Sequence, residues 1–85
     1  MKKILVTGGA GYVGTTLIPM LLERNYEVTI IDNLMFGNGD KLIPFINNKN
    51  FSFIEGDIRD EKLVASLVKG KDIIITSAVG HLYGL

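Results

Sequence analysis

Short runs of apolar residues alternate along the chain with longer segments in which apolar residues recur every three or four positions. The short runs are typical of strands that are buried on both faces of a parallel sheet. They predict four strands, over residues 4–6, 28–31, 51–54 and 73–75. Because these strands alternate with helical segments, the pattern indicates the α/β class, with a sheet built from right-handed βαβ units.

The first helical segment covers residues 11–24, between the first two strands. Its apolar positions repeat with the period of an amphipathic helix, and Asn25 suits the left-handed backbone that often ends a helix. Pro19 removes one backbone donor from the helix interior and crowds the preceding turn. A slight kink is therefore expected near Thr15.

A second helix is predicted between the third and fourth strands. Asp60 is a suitable N-cap, and Gly70 can end the helix. Between these two residues, one helix face carries the apolar side chains Leu63, Val64, Leu67 and Val68. Residues 33–50 contain two glycines and a proline, and they predict a loop with at most a short helix after Asp40.

Composition excludes several classes of function. The 85 residues carry nine basic and nine acidic side chains, so no charge excess attracts nucleic acid or anionic lipid. The chain has no cysteine, which excludes a disulfide framework and fits a reducing compartment. No apolar stretch resembles a signal peptide or reaches the roughly 20 residues of a membrane span. We expect a cytoplasmic protein without nucleic-acid or membrane partners.

A glycine-rich segment, Thr7-Gly8-Gly9-Ala10-Gly11-Tyr12-Val13-Gly14, joins the first strand to the first helix. Glycine permits the sharp turn, Gly11 lets a pyrophosphate approach the main chain, and Gly14 allows close packing of helix and strand. The amides of Tyr12 and Val13 at the helix N-terminus would then bind the phosphates. A tight turn without a ligand is the structural alternative.

An acidic residue follows the second strand at the spacing of a nucleotide site. Asp32 lies eighteen positions after Gly14, near the offset of roughly 20 residues for an acid that accepts hydrogen bonds from the adenosine ribose. Because a carboxylate repels a ribose 2′-phosphate, Asp32 favours NAD over NADP. A solvated carboxylate at a strand end is the alternative.

Other interpretations of these residues are weaker. Residues 9–16 imitate the P-loop of nucleoside triphosphatases, but Thr15 stands where that site requires lysine. Asp57 and Asp60 lack a histidine neighbour that would help them bind a metal. His81, the single histidine, is expected to be exposed.

The motifs resemble the extended short-chain dehydrogenase/reductase family, and within it the NAD-dependent nucleotide-sugar epimerases and dehydratases. Four segments keep the family's order: Thr7-Gly8-x-x-Gly11-x-x-Gly14, Asp32-Asn33-Leu34, Gly56-Asp57-Ile58-Arg59-Asp60 and Asp72-Ile73-Ile74-Ile75. The resemblance implies a partial Rossmann fold with strand order 3-2-1-4 and an NAD crevice between the first and fourth strands. It implies pyrophosphate at Tyr12 and Val13, ribose at Asp32 and Asn33, adenine at Asp57 and Ile58, and the nicotinamide side at Ser77 and Ala78.

The sequence departs from the family at two points. Many members have His-x-Ala-Ala after the fourth strand, whereas residues 76–79 read Thr-Ser-Ala-Val. The family's catalytic Tyr-x-x-x-Lys pair is also missing, since no lysine stands four positions after Tyr12, Tyr26 or Tyr83. We therefore expect residues 1–85 to be the N-terminal part of an NAD(P)-binding domain, without the substrate domain and inactive alone.

Two further expectations concern partners. The nucleotide-sugar substrate would bind only a full-length form, and the fourth strand, as an exposed edge, could associate with a second copy. The alternative function is a non-enzymatic NAD(P)-binding regulatory module from the atypical branch of the same superfamily, which keeps the glycine loop without the catalytic tyrosine.

Overall fold

The computed structural model describes residues 1–7, 12–33 and 39–76. Four parallel strands form one sheet: β1 (Lys3–Thr7), β2 (Glu27–Asp32), β3 (Phe51–Glu55) and β4 (Ile73–Thr76). Their spatial order is β3-β2-β1-β4, which confirms the predicted partial Rossmann topology. Each strand is longer than its apolar run because polar residues at the ends also join the ladder.

Helix α1 (Tyr12–Glu23) connects β1 to β2 and continues through Pro19. The predicted kink near Thr15 stays a prediction. Asn25 has φ of 63° and donates its N–H to the Leu22 carbonyl over 3.0 Å. The predicted left-handed end is therefore confirmed, and it reverses the chain within a few residues toward β2.

Helix α2 (Glu61–Val68) connects β3 to β4, and both of its predicted end signals are confirmed. The Asp60 side chain accepts a hydrogen bond from the Leu63 N–H at 3.1 Å. Gly70 has φ of 78°, in the left-handed region that favours glycine. Between β2 and β3, the only helical element in the described residues is a 3₁₀ helix, Gly39–Phe45. This agrees with the short helix expected after Asp40.

The main core lies on the sheet face that packs against α1 and the 3₁₀ helix. Its buried members come from three strands and both helical elements: Ile4, Val6, Ile18, Val28, Ile30, Leu42 and Phe51. The central strands β1 and β2 supply most of this cluster. The edge strand β4 is more open, since Ile73 is 39% and Ile74 49% exposed.

Helix α2 approaches the opposite sheet face at Gly56. A Cβ added to Gly56 would lie 2.5 Å from Leu63 Cδ2 and 3.7 Å from Ile31 Cδ1. Ile31 is the neighbour of Ile30 on β2, so the two side chains point to opposite faces. The absence of a side chain at position 56 leaves this space to the end of the Leu63 side chain.

Two reciprocal hydrogen bonds join β4 to β1 at the amino ends of the strands. The Asp72 N–H donates to the Lys3 carbonyl, and the Lys3 N–H donates to Asp72 Oδ2, each over 2.7 Å. Asp72 therefore bonds to Lys3 through both its main chain and its side chain. This contact sets β4 beside β1 with Ile4 opposite Ile73.

Candidate functional site

The carboxyl ends of the four strands lie along one edge of the sheet. Thr7 pairs with Ile31 on one side and with Thr76 on the other, and Asp32 pairs with Glu55. In open parallel sheets, ligands bind outside this edge, where the strand order reverses. The order here reverses between β1 and β4. Each segment predicted to contact a cofactor begins at or after one of these strand ends, and Asp32 is itself the last residue of β2.

Part of the predicted site lies outside the described residues, namely Gly8, Gly11, Ser77 and Ala78. The strands that precede these residues, β1 and β4, are nevertheless paired up to their last residues. Helix α1 begins at Tyr12, so the first helical turn includes the main chain of Tyr12, Val13 and Gly14. The first amides of an α-helix have no acceptor within the helix and can bind an anion.

Asp32 lies at the last position of β2 and is half-buried, and Asn33, the next residue, is exposed. The Asp32 carbonyl accepts a hydrogen bond from the Gly56 N–H over 3.0 Å. This bond continues the pairing of β2 and β3 by one residue beyond Glu55. It places the segment predicted to bind ribose beside Asp57 and Ile58, the segment predicted to bind adenine.

The Asp57 carboxylate binds Arg59 at three donor groups. Oδ1 accepts from the Arg59 main-chain N–H at 2.8 Å. Arg59 Nε lies 3.1 Å from each carboxylate oxygen, and Arg59 Nη2 lies 2.7 Å from Oδ2. These hydrogen bonds to Arg59, from its side chain first and its main chain second, lower the pKa of Asp57 from 3.8 to about 2. The same contact raises the pKa of Arg59.

The sequence motifs assign no role to Arg59. Its spacing from Asp57 is nevertheless a signal for the contact between the two side chains. An Asp followed two residues later by Arg allows the carboxylate to accept from the main-chain N–H in an Asx turn, while the guanidinium folds back onto the same group. Between the two charged residues stands Ile58, whose side chain is 41% exposed. The turn therefore presents an ionised carboxylate beside an open apolar surface.

The described residues contain neither a metal centre nor a membrane-spanning helix. Within residues 1–7, 12–33 and 39–76, no group of three His, Cys, Asp or Glu side chains is arranged to hold a metal ion. Asp60, considered with Asp57 as a metal pair, instead caps α2. None of the helices in these ranges has the length and apolarity required to cross a membrane. His81 lies outside the described residues.

A parallel sheet of order 3-2-1-4, with helices connecting its strands, defines the Rossmann class of folds. Residues 4–82 match the family described as NAD dependent epimerase/dehydratase. The chain belongs to this family. The match covers the four strands and both α-helices.

Individual relatives agree with this assignment. The UDP-glucose 4-epimerase of Klebsiella pneumoniae is 41% identical over an alignment of 86 residues. The alignment covers 98% of this chain and 59% of that enzyme. The Bacillus anthracis dTDP-glucose 4,6-dehydratase in complex with NAD superposes with a TM-score of 0.81 at 26% identity, covering 91% of this chain and 26% of that one. The Bordetella bronchiseptica enzyme WbmG in complex with NAD gives 0.77 at 32% identity, covering 88% and 24%. The chain thus spans about a quarter of the length of each of these two structures.

Proposed function

We propose that these residues form the NAD-binding part, at the N-terminal side of a Rossmann domain, of an NAD-dependent nucleotide-sugar epimerase or dehydratase. One observation carries the proposal. The segments predicted to contact pyrophosphate, ribose, adenine and the nicotinamide side follow strand ends that are paired along a single sheet edge. Family membership and the NAD complexes of similar structures support the same function.

The described residues fit the adenosine end of a dinucleotide. Asp32 offers a carboxylate to the ribose hydroxyls at the end of β2, with Asn33 next to it. Asp57 offers an ionised acceptor to the adenine amino group, and the exposed side chain of Ile58 offers an apolar surface to the ring. The amides at the start of α1, at Tyr12 and Val13, would face the pyrophosphate.

The chemical step needs groups that these 85 residues do not supply. Bound NAD supplies a hydride acceptor for a sugar carbon. The family resemblance assigns the proton transfer to a Tyr-x-x-x-Lys pair, in which the lysine lowers the pKa of the tyrosine, and this pair is missing from residues 1–85. The role of the chain is to bind and orient the cofactor, and the nucleotide sugar would bind only to a full-length form.

Calorimetric titration of the 85-residue chain tests this proposal. We expect saturable binding of NAD, and similar binding of ADP-ribose, because the described residues of the proposed site are the ones assigned to the adenosine end. Nicotinamide mononucleotide, which lacks that end, should bind much more weakly. No turnover of UDP-glucose or dTDP-glucose is expected. The absence of saturable NAD binding would contradict the cofactor role, and measurable turnover would contradict the assignment of catalysis to residues elsewhere.

We also propose that the chain associates with a second copy through β4. Among the described residues β4 pairs only with β1, and Ile73 and Ile74 are exposed at this edge. Strand edges of this kind can pair with another chain. Sedimentation velocity should show dimers or larger species that increase with concentration, and Ile74→Lys should reduce them. A monomer at all concentrations would refute the association.

The cytoplasmic location stays a prediction.

A further inference from the structure

We propose that Arg59 is a positioning residue that fixes the Asp57 carboxylate as an acceptor, so that this corner of the site selects a purine with an amino group at position 6. The inference rests on the proposed NAD-binding function and adds a residue to it. Asp57 is the group that would touch the base. Arg59 acts through Asp57 and has no contact with the ligand of its own.

The geometry of the pair supports a fixed orientation. The main-chain N–H of Arg59 holds Oδ1 at 2.8 Å, and Nη2 holds Oδ2 at 2.7 Å. Nε lies 3.1 Å from both oxygens. Because the guanidinium is planar and its donors form a fork, contacts to both oxygens define the plane of the carboxylate as well as its position.

The number of donors leaves room for one more partner. A carboxylate has about four lone-pair sites. Arg59 reaches them with three N–H groups, of which Nε is shared between both oxygens. Because the shared Nε–H can bond fully to only one oxygen, one acceptor site stays open to a ligand donor. Since the pKa of Asp57 is about 2, the carboxylate holds no proton that it could donate near neutral pH. A ligand group that meets the remaining site must itself be a donor.

This requirement distinguishes two kinds of purine. The 6-amino group of adenine donates, whereas the 6-oxo group of hypoxanthine accepts and would face the carboxylate without a proton between them. An unmade hydrogen bond to a charged group is costly.

The contact with Arg59 adds little to fold stability, because the Arg59 side chain is 84% and that of Asp57 37% exposed. The main effect of this contact is therefore on the orientation of the Asp57 carboxylate.

The test compares NAD with nicotinamide hypoxanthine dinucleotide, in which a 6-oxo group replaces the amino group. Calorimetry on the 85-residue chain gives both dissociation constants. We expect the chain to prefer NAD by at least about tenfold, as one hydrogen bond to a charged group implies. Arg59→Ala should reduce this preference, measured as the ratio of the two dissociation constants, severalfold. Asp57→Asn, whose amide can also donate, should bring the ratio close to one.

The matched control is Arg24→Ala, which removes the same charge from an exposed arginine at the end of α1. It should leave the ratio unchanged. A merely structural role of Arg59 would weaken both dinucleotides equally and keep the ratio, and that result would overturn the inference while NAD binding stands. If the chain binds neither dinucleotide, the proposed function fails, and this inference fails with it.

Discussion

Asp32→Ala is expected to remove most of the preference for NAD over NADP. The Asp32 carboxylate would accept hydrogen bonds from the adenosine ribose and repel a 2′-phosphate at the same position. Hydrogen bonds to charged groups contribute about 1.5–3 kcal/mol. The change in the ratio of the two affinities should therefore be about tenfold to a hundredfold, mostly through weaker NAD binding.

Titration of the 85-residue chain with each dinucleotide measures this change. The control is Glu55→Gln, which removes one negative charge from the residue paired with Asp32 and leaves the Asp32 carboxylate in place. It should alter the ratio far less than Asp32→Ala. Equal affinities for NAD and NADP in the parent chain would contradict the ribose role. An equal effect of Glu55→Gln would show that charge alone determines the preference.

Ile30→Ala is expected to have the largest effect on stability. Ile30 is fully buried on β2, within the cluster that joins the sheet to α1. Removal of so many buried methyl and methylene groups costs about 2–5 kcal/mol. Small domains have only about 5–15 kcal/mol of stability in total, and short chains lie at the low end. The variant should be largely unfolded under mild denaturing conditions.

Urea denaturation followed by far-UV circular dichroism measures this loss. Ile30→Val, which removes a single methylene, should cost about 0.5–1.5 kcal/mol. Met20→Ala, at a side chain that is 52% exposed on α1, should change the free energy of unfolding by less than about 0.5 kcal/mol. If Ile30→Ala and Met20→Ala unfold at the same urea concentration, the assigned core is wrong.

The fold could be predicted because local signals and the hydrophobic pattern agree. Asn25, Asp60 and Gly70 each mark a helix end through their own backbone or side-chain chemistry, and the structure confirms all three. Strand limits were predicted less accurately, with an error of one residue at six of the eight strand ends. Thr7 and Asp32, for example, join the ladder through main-chain pairing, to which an apolar pattern is insensitive.

The remaining features depend on contacts that no single segment reveals. Asp72 bonds to Lys3 across 69 positions of sequence. Gly56 belongs to a motif of the sequence, but its close approach to Leu63 depends on how α2 lies against the sheet. Arg59 is a local case, since its partner is two residues away, but the spacing alone does not determine whether the guanidinium folds back onto Asp57. The roles of Asp32, Asn33, Asp57 and Ile58 toward a ligand stay predictions.

The reciprocal bonds between Lys3 and Asp72 have a consequence for how the chain can vary. They lie at the amino ends of the strands, away from Asp32 and Asp57, so β1 and β4 are held in register by residues remote from the candidate site. Side-chain substitutions at Asp32 or Asp57 can therefore alter ligand preference without loosening the pairing of β1 with β4. The same sheet can therefore support different ligand specificities through changes confined to the carboxyl ends of its strands.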